Sequence, residues 1–336
     1  MSKPLPGNYG AETARRIHGE SVVLIMHDHN PLGKEMPAML RGGVTGLIHQ
    51  LTVDIEIGAD FPSSADRLEG FAQRAFRSID RARKAVLEGN GVLALSAGDI
   101  EGAKRDGKPA IMLGNEGGKL LEGQLGLLER FHHLGLREMQ LTWAVPNQLC
   151  RRRPPEMGLT DFGRDVVREM NRLGMLIDVS HLPAEALMEV LEESRDPVML
   201  SHGNPGAEQP LDLHKTMCEK GGVFGQHFYH SYLGWRAERK GRVHLKVEDL
   251  LEAIDYAARE LGVDHVALGC DYFPSKGRWA SFQRAQGTRN IEWAIGDISK
   301  MPELTRGLVA SGYSDFEIHK LLGGNLLRLC RRVLGS

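Results

Sequence analysis

A closed (β/α)8 barrel in a single domain is the fold this sequence predicts, and three observations carry it. Eight apolar, strand-like runs are separated mostly by stretches of helical period, the alternation of a parallel sheet covered by helices. The 336 residues give room for eight such units, since barrels of this kind run past about 250 residues as one domain. No GxGxxG follows the first run, which weighs against an open dinucleotide-binding sheet.

The elements follow in order. After a polar N-terminal extension (1–20) comes the first run, 21–29, SVVLIMHDH. Its β-branched and aliphatic side chains suit a buried strand. The second run, 44–53, follows the Gly42-Gly43 turn. A long helix is expected over 64–89. Leu68, Ala72, Ala75, Phe76, Ile79, Ala82 and Val86 recur there at three- and four-residue spacing, with Arg and Asp on the other face. A short run at 92–95 and a small helix lead to the third strand, 109–114. A helix at 124–134 precedes the fourth, 138–143. Thr160 caps a helix reaching 173, because its hydroxyl can accept from the first free amides. The fifth strand, 175–180, a helix from 183, the sixth strand, 197–202, a helix at 211–220 and the seventh strand, 222–228, follow. The last cycle is a helix at 247–261 and the eighth strand, 265–271, then helices at 301–311 and 314–334. Residues 272–292 show no clear period and are expected to form a long loop over the active-site face.

Composition narrows the function. With 42 basic and 44 acidic residues the net charge is −2, so no global field draws the chain to nucleic acid or an anionic membrane. No apolar run approaches the roughly 18 residues that span a bilayer. Four scattered cysteines (Cys150, Cys218, Cys270, Cys330) form neither a disulfide framework nor a CxxC metal site. A cytoplasmic protein is expected, and the sequence leaves a homodimer open.

In such barrels the chemistry sits at the C-terminal ends of the strands. Here those ends read His27-Asp28-His29, Asn115-Glu116-Gly117-Gly118, Asp178-Val179-Ser180-His181, Ser201-His202 and Cys270-Asp271. Four histidines and two carboxylates thus reach one rim from five strands. Residues i and i+2 on a strand share a face, so His27 and His29 aim together while Asp28 points away. Paired imidazoles suit Zn²⁺. Glu116 is a candidate bridge between two cations, His181 and His202 complete the second site, and Asp271 is left as the candidate catalytic base. Two such cations would activate a water and polarise the carbonyl it attacks.

At these residues the sequence resembles the membrane dipeptidase (renal dipeptidase) family of metal-dependent, amidohydrolase-like barrels. The match is carried by GLTDFGRDVVREMNRLGMLIDVSH (158–181), NEGG (115–118), PVMLSH (197–202), HVALGCDY (265–272) and GGNLLR (323–328). The resemblance implies a barrel with two zinc ions and hydrolysis of a dipeptide or similar small amide. By position it makes Glu116 the bridging carboxylate, His181 and His202 ligands of one metal, and Asp271 the proton-transfer group. Three departures stand out. The family's first strand ends His-x-Asp before Leu-Pro; here HDHNP puts His29 in the aspartate's place, whereas a shifted register would put Pro31 there. Where the family has Leu-Thr-His at the end of strand four, this chain has Leu141-Thr142-Trp143. The substrate-gripping Arg after strand six is missing, with none between His202 and Arg236. An amidohydrolase acting on a non-peptide or modified amide therefore stands beside the dipeptidase, and a catalytically silent ligand-binding barrel is the contrasting class.

Other residues complete the expectations. Arg151-Arg152-Arg153, read as a rim loop, could replace the missing carboxylate clamp. Trp143 and His227, at strand ends, are candidates for the substrate pocket, as is Arg151. Cys270 should point away from Asp271. His132, His133, His214, His230 and His244 read as surface residues.

Overall fold

The computed structural model describes residues 7–54, 69–143, 147–285, 287–288 and 290–335. Its centre is a parallel barrel of eight strands: β1 (Leu24–Asp28), β2 (Gly46–Gln50), β3 (Ala110–Gly114), β4 (Glu138–Gln140), β5 (Leu176–Asp178), β6 (Met199–Gly203), β7 (Val223–His227) and β8 (Val266–Gly269). The hydrogen-bonded order runs β3-β2-β1-β8-β7-β6-β5-β4. The ring closes where Arg137 N donates to Leu113 O (2.9 Å) and Gln140 N to Asn115 O (3.0 Å), tying β4 back to β3. A two-residue strand, Val92–Leu93, lies on the same edge of β3, nearer its start.

Alternation along the strands sorts two apolar layers. Ile25, Leu47, Ile111, Leu113, Ile177, Leu200 and Phe224 face outward into the shell of helices. Leu24, Met26, Ile48, Met112, Leu176, Met199, Val223 and Ala267 point inward, where Leu326, Leu327, Leu329 and Cys330 of the helix Asn325–Val333 pack with them. That helix plugs the end of the barrel where the strands begin. It reaches its place through a backbone contact at Gly323, where a Cβ would sit 2.2 Å from Val22 O.

Most expected helices are present. The helix Asp161–Leu173 begins at Thr160, whose hydroxyl accepts from Gly163 N at 2.9 Å, a cap worth about 1 kcal/mol. Some expectations need correction. The long helix begins at Phe71, after a bend at Gly70 with φ 83°, a left-handed conformation that a helix interior does not tolerate. Residues 64–68 of that expectation lie outside the described residues. Arg151 to Arg153 are not loop: Cys150–Arg153 pairs antiparallel with Glu156–Leu159 in a hairpin beside the barrel. The stretch 272–292 is not all loop either; it contains the helix Arg278–Ala285. Trp279, Ala280 and Phe282 give that helix an apolar side too short to show as a sequence period.

Candidate metal centre

Two irregularities in the sheet bring the site together. Leu24 pairs with Gly46 and Ile25 with Leu47, but Asp28 pairs with His49, so β1 holds one residue more than β2 over this stretch. Such a bulge re-aims the residues after it. Met26 still faces inward, and His27 and His29 now do as well, while Asp28 turns out toward Glu35. The same slip occurs in β6, where Leu200 pairs with Phe224 but Gly203 with Gln226. There both Ser201 and His202 reach the interior. Room for the bulged strand comes from β7 and β8. A Cβ on Gly225 would meet Ser201 O at 2.0 Å, and one on Gly269 would meet it at 2.4 Å.

The structure brings His27, His29, Glu116, His181, His202 and Asp271 into one cluster, all on the same rim. His27, His29 and Asp271 form one group with ligand atoms within 4.8 Å of one another; Glu116, His181 and His202 form a second. The Nε2 atoms of His27 and His29 are 3.1 Å apart, and those of His181 and His202 are 3.0 Å apart. Glu116 lies between the pairs, with Oε1 3.2 Å from His181 Nε2 and Oε2 3.4 Å from His29 Nε2. Asp271 Oδ1 is 3.6 Å from His29 Nε2 and 3.9 Å from His27 Nε2. His181 and Asp271 have φ of 61° and 50°. Such left-handed residues at strand ends are costly and cluster at functional sites.

The outer ring nitrogens show which tautomers these histidines hold, assigned here from the hydrogen-bond network. His29 Nδ1 is 2.7 Å from Thr52 Oγ1, and Thr52 donates its own proton to Gln50 O. His27 and His202 turn Nδ1 to Ser201 Oγ, and His181 Nδ1 faces Glu208 Oε2 at 3.6 Å. Every Nδ1 thus faces an oxygen acceptor, which leaves the four Nε2 atoms pointing at one another. Lone pairs 3.0–3.1 Å apart repel unless a proton or cation lies between them. The donor set therefore fits divalent cations, and its nitrogen-rich chemistry fits zinc.

Charge follows the same pattern. Burial would raise the Glu116 carboxyl, but His181 and His29 hold it well below the usual range. Burial would lower His181, yet Glu116 and Glu208 push it up to about 10. Burial depresses His27 and His202. The centre thus attracts positive charge while two of its imidazoles stay neutral, as ligands must.

His227 differs from the other four. Its Nδ1 accepts from Tyr229 N at 3.0 Å, so Nε2 carries the proton and faces Asp271 Oδ2 at 3.4 Å. Its ring stacks on Tyr232 with centroids 4.0 Å apart. His227 thereby turns its N–H side toward Asp271, which it holds below the usual carboxylate range against the effect of burial. Trp143 lies at the rim against Phe282 (5.9 Å), and Trp279 covers His29 (5.0 Å). Arg151 is not brought to the site: it is exposed and pairs with Glu156 at 3.5 Å. Its neighbour Arg152 is closer, donating to His181 O. The Arg153 side chain lies outside the described residues. Cys270 faces away from Asp271 into the outer core, where burial pushes its thiol up. His214 is not a surface residue. It is buried and bonded to Gln209 Oε1 (2.9 Å) and Gly206 N (3.2 Å), bracing the loop after β6.

Thr52, Asp178, Ser201, Glu208 and Tyr232 escaped the sequence reading of roles. Asp178 and Ser201 stand in the motifs singled out there, and the available signal was a hydroxyl or carboxylate next to a strand-end histidine, which ligating histidines need for their outer nitrogen.

Comparison with known proteins agrees with this geometry. The sequence model of the membrane dipeptidase family (peptidase family M19) matches residues 26–334. The dipeptidase tcpJ of Claviceps purpurea is 29% identical over 251 residues, 72% of this chain; the chain spans about half of that relative, 55% of its length. The crystal structure of an amidohydrolase from Pseudomonas aeruginosa superposes with a TM-score of 0.82 and 26% identity, covering 96% of this chain and 99% of that one. A metallopeptidase from Rhodobacter sphaeroides, solved with a phosphinate mimic of the dipeptide L-Ala-D-Ala, shares the fold with a TM-score of 0.76 and 23% identity, over 94% of this chain and 100% of that one.

Proposed function

The chain belongs to the membrane dipeptidase family, peptidase family M19, and from that premise we propose that it is a two-zinc hydrolase of dipeptides or related small amides. The observation that carries the proposal is the convergence of four Nε2 atoms on Glu116 and Asp271. His27 and His29 would hold one cation, His181 and His202 the other, and Glu116 both, with Asp271 beside them as the proton-transfer group. Such cations supply Lewis-acid polarisation of the scissile carbonyl and acidify water.

The chain's own residues do the rest. Asp271 Oδ1 takes the proton of the attacking water and returns it to the amine nitrogen as the C–N bond breaks. His227, with Nε2 3.4 Å from Asp271 Oδ2 and its ring held flat against Tyr232, keeps that carboxylate oriented and ionised between turnovers. Trp143, Phe282 and Trp279 give the rim an apolar wall.

A second reading, an amide without a free C-terminal carboxylate, is favoured by the arginines. Among the described side chains of the hairpin, Arg151 is committed to Glu156 and Arg152 to the His181 carbonyl. Losing a charge-assisted bond to a substrate carboxylate costs roughly 1.5–3 kcal/mol, or about ten- to a hundredfold in affinity. The test is elemental analysis of the purified protein followed by kcat/KM on dipeptides, their C-terminal amides and N-acyl amino acids. Two zinc ions per chain and turnover of at least one class are expected. Absence of bound metal together with absence of turnover would point to a silent barrel.

A cytoplasmic location is part of the proposal, supported by four cysteines that are buried free thiols; cell fractionation tests it. No helix among the described residues is long and apolar enough to cross a membrane.

A further inference from the structure

One hydroxyl stands behind both halves of the candidate centre. Ser201 Oγ lies 3.1 Å from His27 Nδ1, 2.9 Å from His202 Nδ1 and 2.5 Å from Asp178 Oδ2. His27 stands in one group with His29 and Asp271, His202 stands in another with Glu116 and His181, and a third group joins His27 and His202 through Asp178. Ser201, Asp178 and His27 are wholly buried and His202 nearly so, so water does not compete for these bonds.

The bonding capacity of each group fixes where the protons lie. A serine hydroxyl has one hydrogen to give and two lone pairs to accept with; a carboxylate only accepts. Asp178 Oδ1 already receives Ser180 N (2.9 Å), Ser180 Oγ (2.8 Å) and Ser201 N (3.0 Å). Its Oδ2 takes the Ser201 hydrogen. Both Ser201 lone pairs are then left for the two imidazoles, each of which must carry its hydrogen on Nδ1. Ser180 Oγ also approaches Ser201 Oγ, at 3.2 Å, but its own hydrogen is spent on Asp178.

We propose that Ser201, anchored by Asp178, is a positioning residue that fixes the tautomer of His27 and His202 together, so that one hydroxyl presents an Nε2 lone pair to each of the two cation sites. The proposal rests on the two-cation reading for its consequence, while the tautomers themselves are a property of the metal-free chain. It implies that the two sites are coupled through their backs as well as through Glu116. It also assigns Asp178 a definite task. In Asp178→Asn the amide oxygen must occupy the corner facing three donors, so the NH₂ group points at Ser201. The Ser201 hydrogen is then forced onto one of the two imidazoles, and that ring must move its own hydrogen to Nε2.

The experiment uses metal-free full-length protein with ¹⁵N-labelled histidine. Two-bond ¹H–¹⁵N spectra, taken at a pH where His27 and His202 are neutral, read each ring's tautomer. Zinc titration against a competing chelator then reads both sites. In the unsubstituted protein both rings should be Nδ1–H. Ser201→Cys keeps nearly the same volume with a poor acceptor, and Ser201→Ala removes the acceptor. Both should release the two rings from a single tautomer and weaken both zinc sites by about ten- to a hundredfold, the usual loss for a ligand's outer partner. Asp178→Asn should invert one ring. An Nε2–H signal from either ring in the unsubstituted protein would overturn the proposal, as would a Ser201→Cys protein that keeps both tautomers or loses affinity at only one site. If a serine variant does not fold, the unsubstituted and Asp178→Asn spectra still decide. Failure of the two-cation reading would appear separately, as missing stoichiometric zinc in a protein whose tautomers are as stated.

Discussion

The two ends of the barrel interior are built from the same eight strands and share almost no chemistry. Toward the strand starts, Leu24, Met26, Ile48, Met112, Leu176 and Met199 meet Leu326 and Leu329 of the plugging helix. Toward the strand ends, the same strands carry His27, Glu116, His181 and His202. In β1 the change takes one residue, from Met26 to His27, and the inserted position of the bulge makes it. The lower half is held by shape, where a missing methylene leaves a void. The upper half is held by polar pairing, where a missing partner leaves a buried charge. Damage to one half should therefore read out in stability and damage to the other in metal binding and turnover.

The largest break in that division should come from Glu116→Gln. Removing one member of a buried charged set costs about 3–5 kcal/mol of interaction, so kcat/KM should fall at least about a hundredfold, with metal content reduced. The metal-free protein should also lose stability, because His181 is left without the carboxylate that pairs with it. A variant that unfolds while keeping its metal would erase the distinction. Leu326→Ala should do the reverse. Leu326 is buried in the plug, and the change should cost roughly 2–5 kcal/mol in denaturant unfolding with zinc content and kcat unchanged.

Asp249 sharpens the comparison from outside the barrel. It bonds Arg242 at 2.6 Å, Lys240 at 3.1 Å and Lys246 N at 2.9 Å at a helix start. Burial would raise its carboxyl, but these partners bring it down from 3.8 to about 2. A depressed carboxylate binds fewer protons folded than unfolded, so its stabilisation is complete above about pH 4 and fades as pH falls through about 2. Asp249→Asn should cost roughly 1–2 kcal/mol at pH 7, with the difference closing in acid urea titrations and activity unaffected. The smallest effect should come from Arg151→Ala. Its pair with Glu156 is exposed, so stability should change by less than about 1 kcal/mol and kcat/KM by less than about twofold. A tenfold loss on free-acid dipeptides alone would place a carboxylate clamp on the hairpin after all.

The barrel and the identity of the rim residues were legible because strand ends announce themselves: an apolar run stops and His, Asp or Glu follows. The i, i+2 spacing of His27 and His29 was enough to put them on one face. Which face depended on the bulge, and nothing in SVVLIMHDH marks where an extra residue enters. His202 was harder, because strict alternation from Met199 would bring in Ser201 and turn His202 away. The helix Arg278–Ala285 was too short for its period to stand out from its surroundings. The hairpin at Cys150 was hidden by three arginines that look like a solvated loop. His214 read as surface because a single histidine in a polar stretch carries no mark of the loop it braces. Tautomers depend on contacts between residues far apart in the chain, such as Ser201 with His27, and no local pattern encodes them.

Gly225 and Gly269 lead to one more consequence. Neither carries a side chain that could touch substrate or metal, yet each lies where even a methyl group would collide with Ser201 O. In a saturating mutational scan scored for turnover, these two inert positions should be as intolerant as the histidines. The cause of failure would differ: alanine at either site pushes the bulged strand outward and carries His202 with it. A map of intolerant positions on this protein would thus outline two things at once, the groups that do chemistry and the empty volume that lets a neighbouring strand bend. Only the second group should be rescued by enlarging space elsewhere in the same layer.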